Sequence, residues 1–380
     1  METSISDLAR RIGVSRLANL TGLDNLGYPV VAAIRPNSRN LTVSFGKGPT
    51  LEKAKLSAVM EAAELFYSET APSPLQTSRF QDLNSETALN PSSLEAIDAA
   101  RDVGDEIFEW VEGYDLHTKR PLLVPWQIIS MDYTTKAREH ERVLQFGATG
   151  LAAGFEETTA ILHGLLEVIE RDCHNAWNNL EDNRRAMTLI DADAIQSKNV
   201  RVLLDMIAGA NLEVLIWNMT GPNHVPCFLA EVFDLLQTAT TAYVQGSAAA
   251  VTAAVAIEKA IAEALQIRLT YIAGSRDDLD WFDYGERYAG IVENRCSLMA
   301  QSLVRQQLPA DDAVFENPAR ALNQTLRRME KSGISNVAVV RLSPVDEPFS
   351  VVKIIVPSMH DTPDADYYTR QQHSRQTVTA

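Results

Sequence analysis

The chain has 380 residues, 46% hydrophobic and 22% charged, an ordinary composition for a globular protein with a large core. Its 34 basic and 50 acidic residues leave a formal charge of −16, which argues against nonspecific nucleic-acid binding, since that depends on neutralising phosphates. No apolar run approaches the ~18 residues of a membrane span, and METSISDLARRIG has no signal-peptide core, so neither a nucleic-acid nor a membrane partner is expected. Cys173, Cys227 and Cys296 form no CxxC pair and cannot all pair with one another, so they are expected reduced in a cytoplasmic protein.

Residues 28–45, YPVVAAIRPNSRNLTVSF, set two β-rich runs around Pro36, Asn37 and Ser38 and predict a hairpin. A helix is predicted from about Thr50 to Ser68. Residues 72–106, richer in Ser, Pro, Asn and Asp, read as a surface excursion with a short helix. Strand-like runs recur near 107–113, 121–130, 213–218, 226–234, 336–343 and 350–356, and long helices are predicted over about 156–178 and 251–272. No internal repeat or long linker stands out. The pattern predicts one α+β domain over 1–362 with mixed or antiparallel sheets, followed by a polar tail, 363–380, expected to be mobile.

The placement of charge on the three long helices is informative. Ser57, Glu61, Glu64 and Ser68 are spaced i, i+4, i+7, i+11, which puts them on one narrow stripe bordered on both sides by apolar residues. His163, Glu167, Glu170 and His174 repeat the spacing on the second helix. Lys259, Glu263, Gln266 and Thr270 repeat it on the third, with Arg268 well off the stripe. Desolvating an unpaired carboxylate costs several kcal/mol, and these helices carry few basic residues to pair with it. Mg²⁺ takes oxygen ligands and shares them with phosphates, so matching seams on three helices point to a metal and nucleotide site. The alternatives are a solvent face, or a structural salt-bridge network with Arg171, Lys259 and Arg268.

Three small-residue segments precede these helices. Gly46-Lys47-Gly48, the run Gly147 to Gly154, and Gly246-Ser247-Ala248 each read as a loop in which backbone can approach an anion. Lys47 adds a point charge. The GxxxxGK[ST] spacing of a P-loop is absent.

Taken in order, several motifs resemble the YcaO superfamily. They are Thr21-Gly22-Leu23-Asp24 to Gly27-Tyr28-Pro29-Val30, Arg35-Pro36, Gly46-Lys47-Gly48, and Ser57 with Glu61 and Glu64. They continue with Gly150 to Gly154, Glu167 to Asp172, Glu263 to Arg268, Gly274 to Asp278, and Val351 to Pro357. The match runs from about Arg16 to Pro357. The resemblance implies a YcaO-type fold whose long buried helices surround an ATP–Mg²⁺ site. It also implies an enzyme that O-phosphorylates a peptide backbone amide after a nucleophile adds to the amide carbon.

Carried over position by position, Glu61, Glu64, Glu167 and Glu170 match metal-coordinating residues, and Lys47, Ser57, Arg171, Gln266 and Arg268 match nucleotide-contacting ones, with Arg16 a further match. Glu64, Glu167, Glu170 and Arg171 are the expected catalytic set.

Two features depart from azoline-forming members. The chain closes QQHSRQTVTA rather than in a PxPxP motif, and Leu65 stands where an arginine often follows the first ExxE. The tail without PxPxP and the N-terminal TGLD…GxPV pattern resemble YcaO proteins that make thioamides with a TfuA partner. Thioamidation of a peptide or protein, assisted by a TfuA-like or separate leader-peptide-binding partner, is the first expectation. Azoline-forming cyclodehydration is the second and a non-catalytic nucleotide- or peptide-binding scaffold the third. A homodimer is left open. A di-iron centre using His163 and His174 is disfavoured, because the spacing is HxxxE and not the ExxH of such sites. Both histidines read as hydrogen-bonded core or boundary residues, and Cys173, which follows the second ExxE near the expected pocket, reads as an inert thiol with nothing to mark it as a nucleophile.

Overall fold

The computed structural model describes residues 2–98, 100–134, 142–234, 243–276, 306–308 and 317–361. The polar tail 363–380 and Cys296 lie outside the described residues. Helix α1 (Glu2–Arg11) leads into strands β1 (Arg16–Asn19), β2 (Val30–Ile34) and β3 (Val43–Lys47), followed by α2 (Leu51–Glu69) and β4 (Gln76–Arg79). Next come β5 (Ile107–Asp115), β6 (Pro121–Pro125), β7 (Leu151–Gly154), α3 (Glu157–Asn178), α4 (Asp182–Ala186) and α5 (Lys198–Gly209). The remaining elements are β8 (Leu212–Asn218), β9 (Cys227–Asp234), β10 (Tyr243–Ala249), α6 (Ala253–Ala273), α7 (Pro318–Lys331), β11 (Ala338–Arg341) and β12 (Ser350–Ile355).

The strands form three antiparallel sheets. One has the order β1-β2-β3, the second β4-β5-β11-β12-β7 with β6 on β5, and the third β10-β9-β8. The expected hairpin is the β2–β3 pair, in register from Val30 opposite Lys47 to Ile34 opposite Val43. Each of β3, β7 and β10 ends its sheet, and each leads directly into a long helix, α2, α3 and α6 respectively.

These three strand–helix units close into a ring. Helix α2 packs on β3 and on β7, α3 on β7 and β10, and α6 on β10 and β3. The apolar core divides the same way. One cluster joins α2 to the first and second sheets, through Val31, Ala58, Ala62, Trp110 and Val351. Another joins α3 to the second and third, through Leu165, Ile169, Trp217, Leu229 and Val352. The last joins α6 to the third and first, through Val30, Phe45, Ala260, Leu265 and Phe228. Each helix is thus sandwiched between sheets, and only its polar seam is left facing the middle of the ring.

The small-residue segments are built largely from edge strands: Gly46 and Lys47 end β3, Leu151–Gly154 is β7 and Gly246-Ser247-Ala248 lies in β10, while Gly48 and residues 147–150 are loop and turn. A Cβ on Gly46 would sit 2.0 Å from the Ala58 nitrogen, and one on Gly246 2.3 Å from the Ala264 nitrogen. Glycine is required there because the following helix lies backbone against backbone on its own strand. The repeated unit is invisible as a sequence repeat, since only the strand–helix geometry and the seam recur.

Residues 72–106 hold no α-helix among the described residues. They contribute edge strand β4, paired with β5 from Gln76 opposite Trp110 to Arg79 opposite Ile107, and short 3₁₀ turns at Phe80–Asp82 and Pro91–Ser93. The Asn84, Asn90, Asp98 and Asp102 side chains each accept the N–H two residues on, local bonds that compete with helix formation.

A buried ion pair locks the first unit. Arg35, 4% exposed, donates to Glu69 at 2.7 Å and to the Ile12 and Ala62 carbonyls, while Ser38 and the Asn40 N–H also donate to Glu69.

Candidate active site

The three seams meet in the ring. Glu61 on α2 accepts the Phe45 N–H at 3.4 Å, and Glu64, one turn on, accepts the Ala153 N–H at 2.7 Å. Glu167 on α3 accepts the Gly150 N–H at 3.2 Å, and Glu170 accepts the Ser247 hydroxyl at 2.6 Å. Lys47, at the end of β3, lies 3.8 Å from Glu263 of α6. These contacts follow the ring. Glu64 of α2 reaches β7, Glu170 of α3 reaches β10, and Glu263 of α6 reaches β3. An edge strand has N–H groups with no neighbouring strand to take them, and here two of them, at Phe45 and Ala153, fix Glu61 and Glu64.

The electrostatics carry the signature of convergence. Burial pushes the Glu61 carboxyl up to about 7, against the opposing pull of Lys47, the Phe45 N–H and Arg276. Glu64 is raised well above the usual carboxylate range by burial and then by Glu61 and Glu167. Burial also raises Glu167, against the pull of Arg171 and Lys353, and raises Glu170 together with the Glu263 carboxylate. Glu61, Glu64, Glu167 and Glu263 keep partial exposure all the same. They line a cleft and are not sealed in a core.

Arg171 holds its charge above its ordinary range: burial opposes it, but Glu170, Glu167, Glu263 and Asp361 outweigh burial. Its Nε–H is buried and has no hydrogen-bond partner among the described residues. Behind Glu167, buried Lys353 of β12 donates to the Gly147 carbonyl at 2.5 Å, and burial lowers its amine to about 8. Thr149 hydrogen-bonds Asp361, a neighbour of both Lys353 and Arg171.

Of the residues singled out in the sequence, the structure gathers Lys47, Glu61, Glu64, Glu167, Glu170 and Arg171, and it sets Ser57 and Gln266, both half-buried, on the converging seams. It does not bring Arg268 or Arg16 to them. Arg268 is 7% exposed and ion-paired with Asp24 at 3.3 Å and Asp234 at 3.8 Å, on the flank of α6 away from the seam. Arg16 opens β1, is exposed, and among the described residues has no hydrogen bond or ion pair to the seams.

Ser247 and Lys353 lie in segments the sequence marked, but nothing in the sequence marked them as neighbours of the carboxylates, and Asp361 had no signal at all, because their place there depends on strand pairing. Cys173 and Cys227 are buried and free. Their mutual hydrogen bond pulls the Cys173 thiol down, while burial pushes Cys227 up. His163 is a boundary residue: it reaches solvent on the seam, hydrogen-bonds the Ala153 backbone, and has its imidazole lowered to about 4 by the partial burial of the ring and then by Lys259.

Among the described residues, no three acidic, histidine or cysteine side chains stand close enough to hold an ion on their own. Mg²⁺ characteristically takes one or two carboxylates and completes its shell with water and phosphate oxygens. Glu64, flanked by two carboxylates and without a salt-bridge partner among the described residues, and the orphan Arg171 N–H suit that division. One asks for a cation and the other for an anionic oxygen. The donor set therefore fits a site for a hard divalent cation together with a phosphate-bearing ligand.

Comparison with known proteins agrees. Residues 45–360 match the family described as YcaO cyclodehydratase, ATP- and Mg²⁺-binding, and the chain belongs to that family. An uncharacterised protein from the tfuA 3′ region of Rhizobium leguminosarum bv. trifolii is 31% identical over 92% of this chain and 84% of its own length. The structure of YcaO from Methanopyrus kandleri bound with AMPPCP and Mg²⁺ superposes with a TM-score of 0.70, at 18% identity, over 94% of this chain and 92% of that one. A heterocyclase in complex with substrate and cofactor gives a TM-score of 0.74, also at 18% identity. This chain, 94% covered, spans about half of it, 52%. No helix among the described residues is long and apolar enough to cross a membrane.

Proposed function

We propose that this protein uses ATP and Mg²⁺ to activate a backbone amide of a ribosomally made peptide or of a protein, and that its product is a thioamide formed with a TfuA-like partner. The observation that carries this reading is the convergence of carboxylates from α2 and α3, with Lys47, Glu263 and Arg171, on one cleft. Glu61, Glu64, Glu167 and Glu170 would hold Mg²⁺. Ser57, Lys47, Arg171 and Gln266 would contact the nucleotide.

Bound Mg²⁺ supplies charge neutralisation for the transferring phosphoryl group. The chain's own residues do the rest. Lys47 and Arg171 place positive charge against the polyphosphate, and the Arg171 Nε–H gains the acceptor it lacks. The edge-strand N–H groups and Ser247 hold the carboxylates in position before the ligand arrives.

In the reaction, sulfide adds to the amide carbon and the former carbonyl oxygen takes the γ-phosphoryl of ATP, releasing ADP. Loss of that oxygen as phosphate, with one proton, leaves the C=S bond. The tfuA-region location of the Rhizobium relative supports the partner and hence sulfide as nucleophile. The second reading is azoline formation, in which a Cys, Ser or Thr side chain of the peptide attacks instead; the heterocyclase likeness favours it.

The test is mass spectrometry of peptides incubated with the protein, a TfuA-like partner, ATP, Mg²⁺ and sulfide. An oxygen-to-sulfur mass gain supports the thioamide, whereas loss of one water per site supports the azoline. No modification and no ATP consumption under any of these conditions would overturn the enzymatic reading.

A further inference from the structure

The metal and nucleotide roles above leave the first seam position of α6 without a function. Ser57, His163 and Lys259 occupy the equivalent, N-terminal position of the three seams, one turn before Glu61, Glu167 and Glu263. The seams deepen from there. His163 and Lys259 are exposed, the next level is half-buried, and Ser68 and Thr270 at the far end are 0% and 5% exposed. The cleft therefore opens at the level of Lys259.

We propose that Lys259 binds the terminal phosphoryl group of the nucleotide, the group that is transferred. This rests on the nucleotide reading above. Lys259 projects from a helix whose neighbouring Ala256 and Ala260 are wholly buried, one turn after exposed Val255 and one turn before half-buried Glu263, which places it at the mouth of the cleft. Its charged neighbours are Lys47 on β3, Glu170 on α3, Glu258 and Glu263 on α6, and His163 faces it from α3. Lys47 has Glu263 as ion-pair partner, whereas Lys259 makes no salt bridge among the described residues. Two ammonium groups face the same space, and of the carboxylates beside Lys259, which are Glu170, Glu258 and Glu263, only Glu263 forms an ion pair among the described residues, and it does so with Lys47. Burial, and then the Lys47 charge, hold the Lys259 amine below its ordinary range.

An anion between the two amines satisfies both. A compact ammonium on a flexible stem suits a phosphoryl group that carries several charges and shifts position as it is transferred. The terminal phosphoryl is the one assigned because its acceptor is a peptide that enters from outside, so transfer must take place at the open end of the cleft.

The experiment measures Mg²⁺-dependent affinity for ATP, a non-hydrolysable ATP analogue and ADP by calorimetry, on the wild type, Lys259→Gln and Lys259→Arg. Lys259→Gln is expected to lose roughly tenfold in affinity for ATP and its analogue and no more than about twofold for ADP, as for one charge-assisted contact to the terminal phosphate. Lys259→Arg is expected to recover most of the loss. A merely structural role would weaken ATP and ADP alike, and thermal melting of both variants checks the fold. If the wild type binds nucleotide but Lys259→Gln leaves ATP affinity unchanged, or lowers ATP and ADP affinity equally, the assignment of Lys259 is wrong and the nucleotide reading stands. If the wild type binds no nucleotide, that reading fails and the assignment falls with it.

Discussion

Glu61→Gln should stabilise the ligand-free protein while disabling it. The Glu61 carboxyl titrates near 7 in the folded chain against an ordinary value of 4.5, chiefly because burial penalises its charge. A raised carboxyl costs nothing below its unfolded value. It begins to cost stability as pH rises through 4.5, and the cost levels off above 7. Taken by itself, the group costs about 3 kcal/mol at pH 8 and less than about 1 kcal/mol at pH 5.

Glutamine keeps the shape and can still accept the Phe45 N–H, so the substitution removes the cost without leaving a cavity. The apo melting temperature should rise by roughly 3–6 °C at pH 8 and by about 1 °C at pH 5. Adding Mg²⁺ and ATP should raise the wild-type melting temperature but scarcely move that of the variant. Differential scanning calorimetry at the two pH values, with and without ligand, measures all of this. An apo variant that melts at or below wild type at pH 8 would refute the claim that the carboxylates are held ready for a cation at the expense of stability.

Other outcomes follow from the same geometry. Glu64→Gln and Glu170→Gln should each lower ATP consumption by about 100-fold or more with circular dichroism unchanged, as expected for loss of a metal ligand; turnover retained in both would remove the metal role. Arg35→Ala leaves Glu69 buried without its cation, and urea denaturation should show a loss of about 3–5 kcal/mol. Gly246→Ala drives a methyl into the α6 backbone at Ala264. It should destabilise by at least about 2 kcal/mol and weaken nucleotide binding as well, since α6 cannot shift without moving its seam.

The acidic seams were legible in the sequence because helical periodicity is local. Glu61 and Glu64 lie three residues apart in an otherwise apolar run, and that spacing needs no knowledge of the fold. The strands were legible where they are buried and β-branched, as in Val351–Ile355. Strand β10 was not, because Gly246, Ser247 and Ala248 are small residues chosen to let α6 lie against them, which in a sequence looks like a loop. Arg268 shows what position alone leaves open. It resembles a nucleotide contact by position, yet its guanidinium is taken up by Asp24, 244 residues away along the chain.

The sequence by itself determined that three helices each carry a polar stripe that water alone does not explain, and that two of the stripes are rich in carboxylates. Only the tertiary structure decided that the stripes face one another. Helix α2 is seated on β7 as well as β3, α3 on β10 as well as β7, and α6 on β3 as well as β10. Those contacts join residues far apart in sequence, and they form because each apolar flank has to be covered by a sheet on either side. Once both flanks are covered, the seam can point only into the ring.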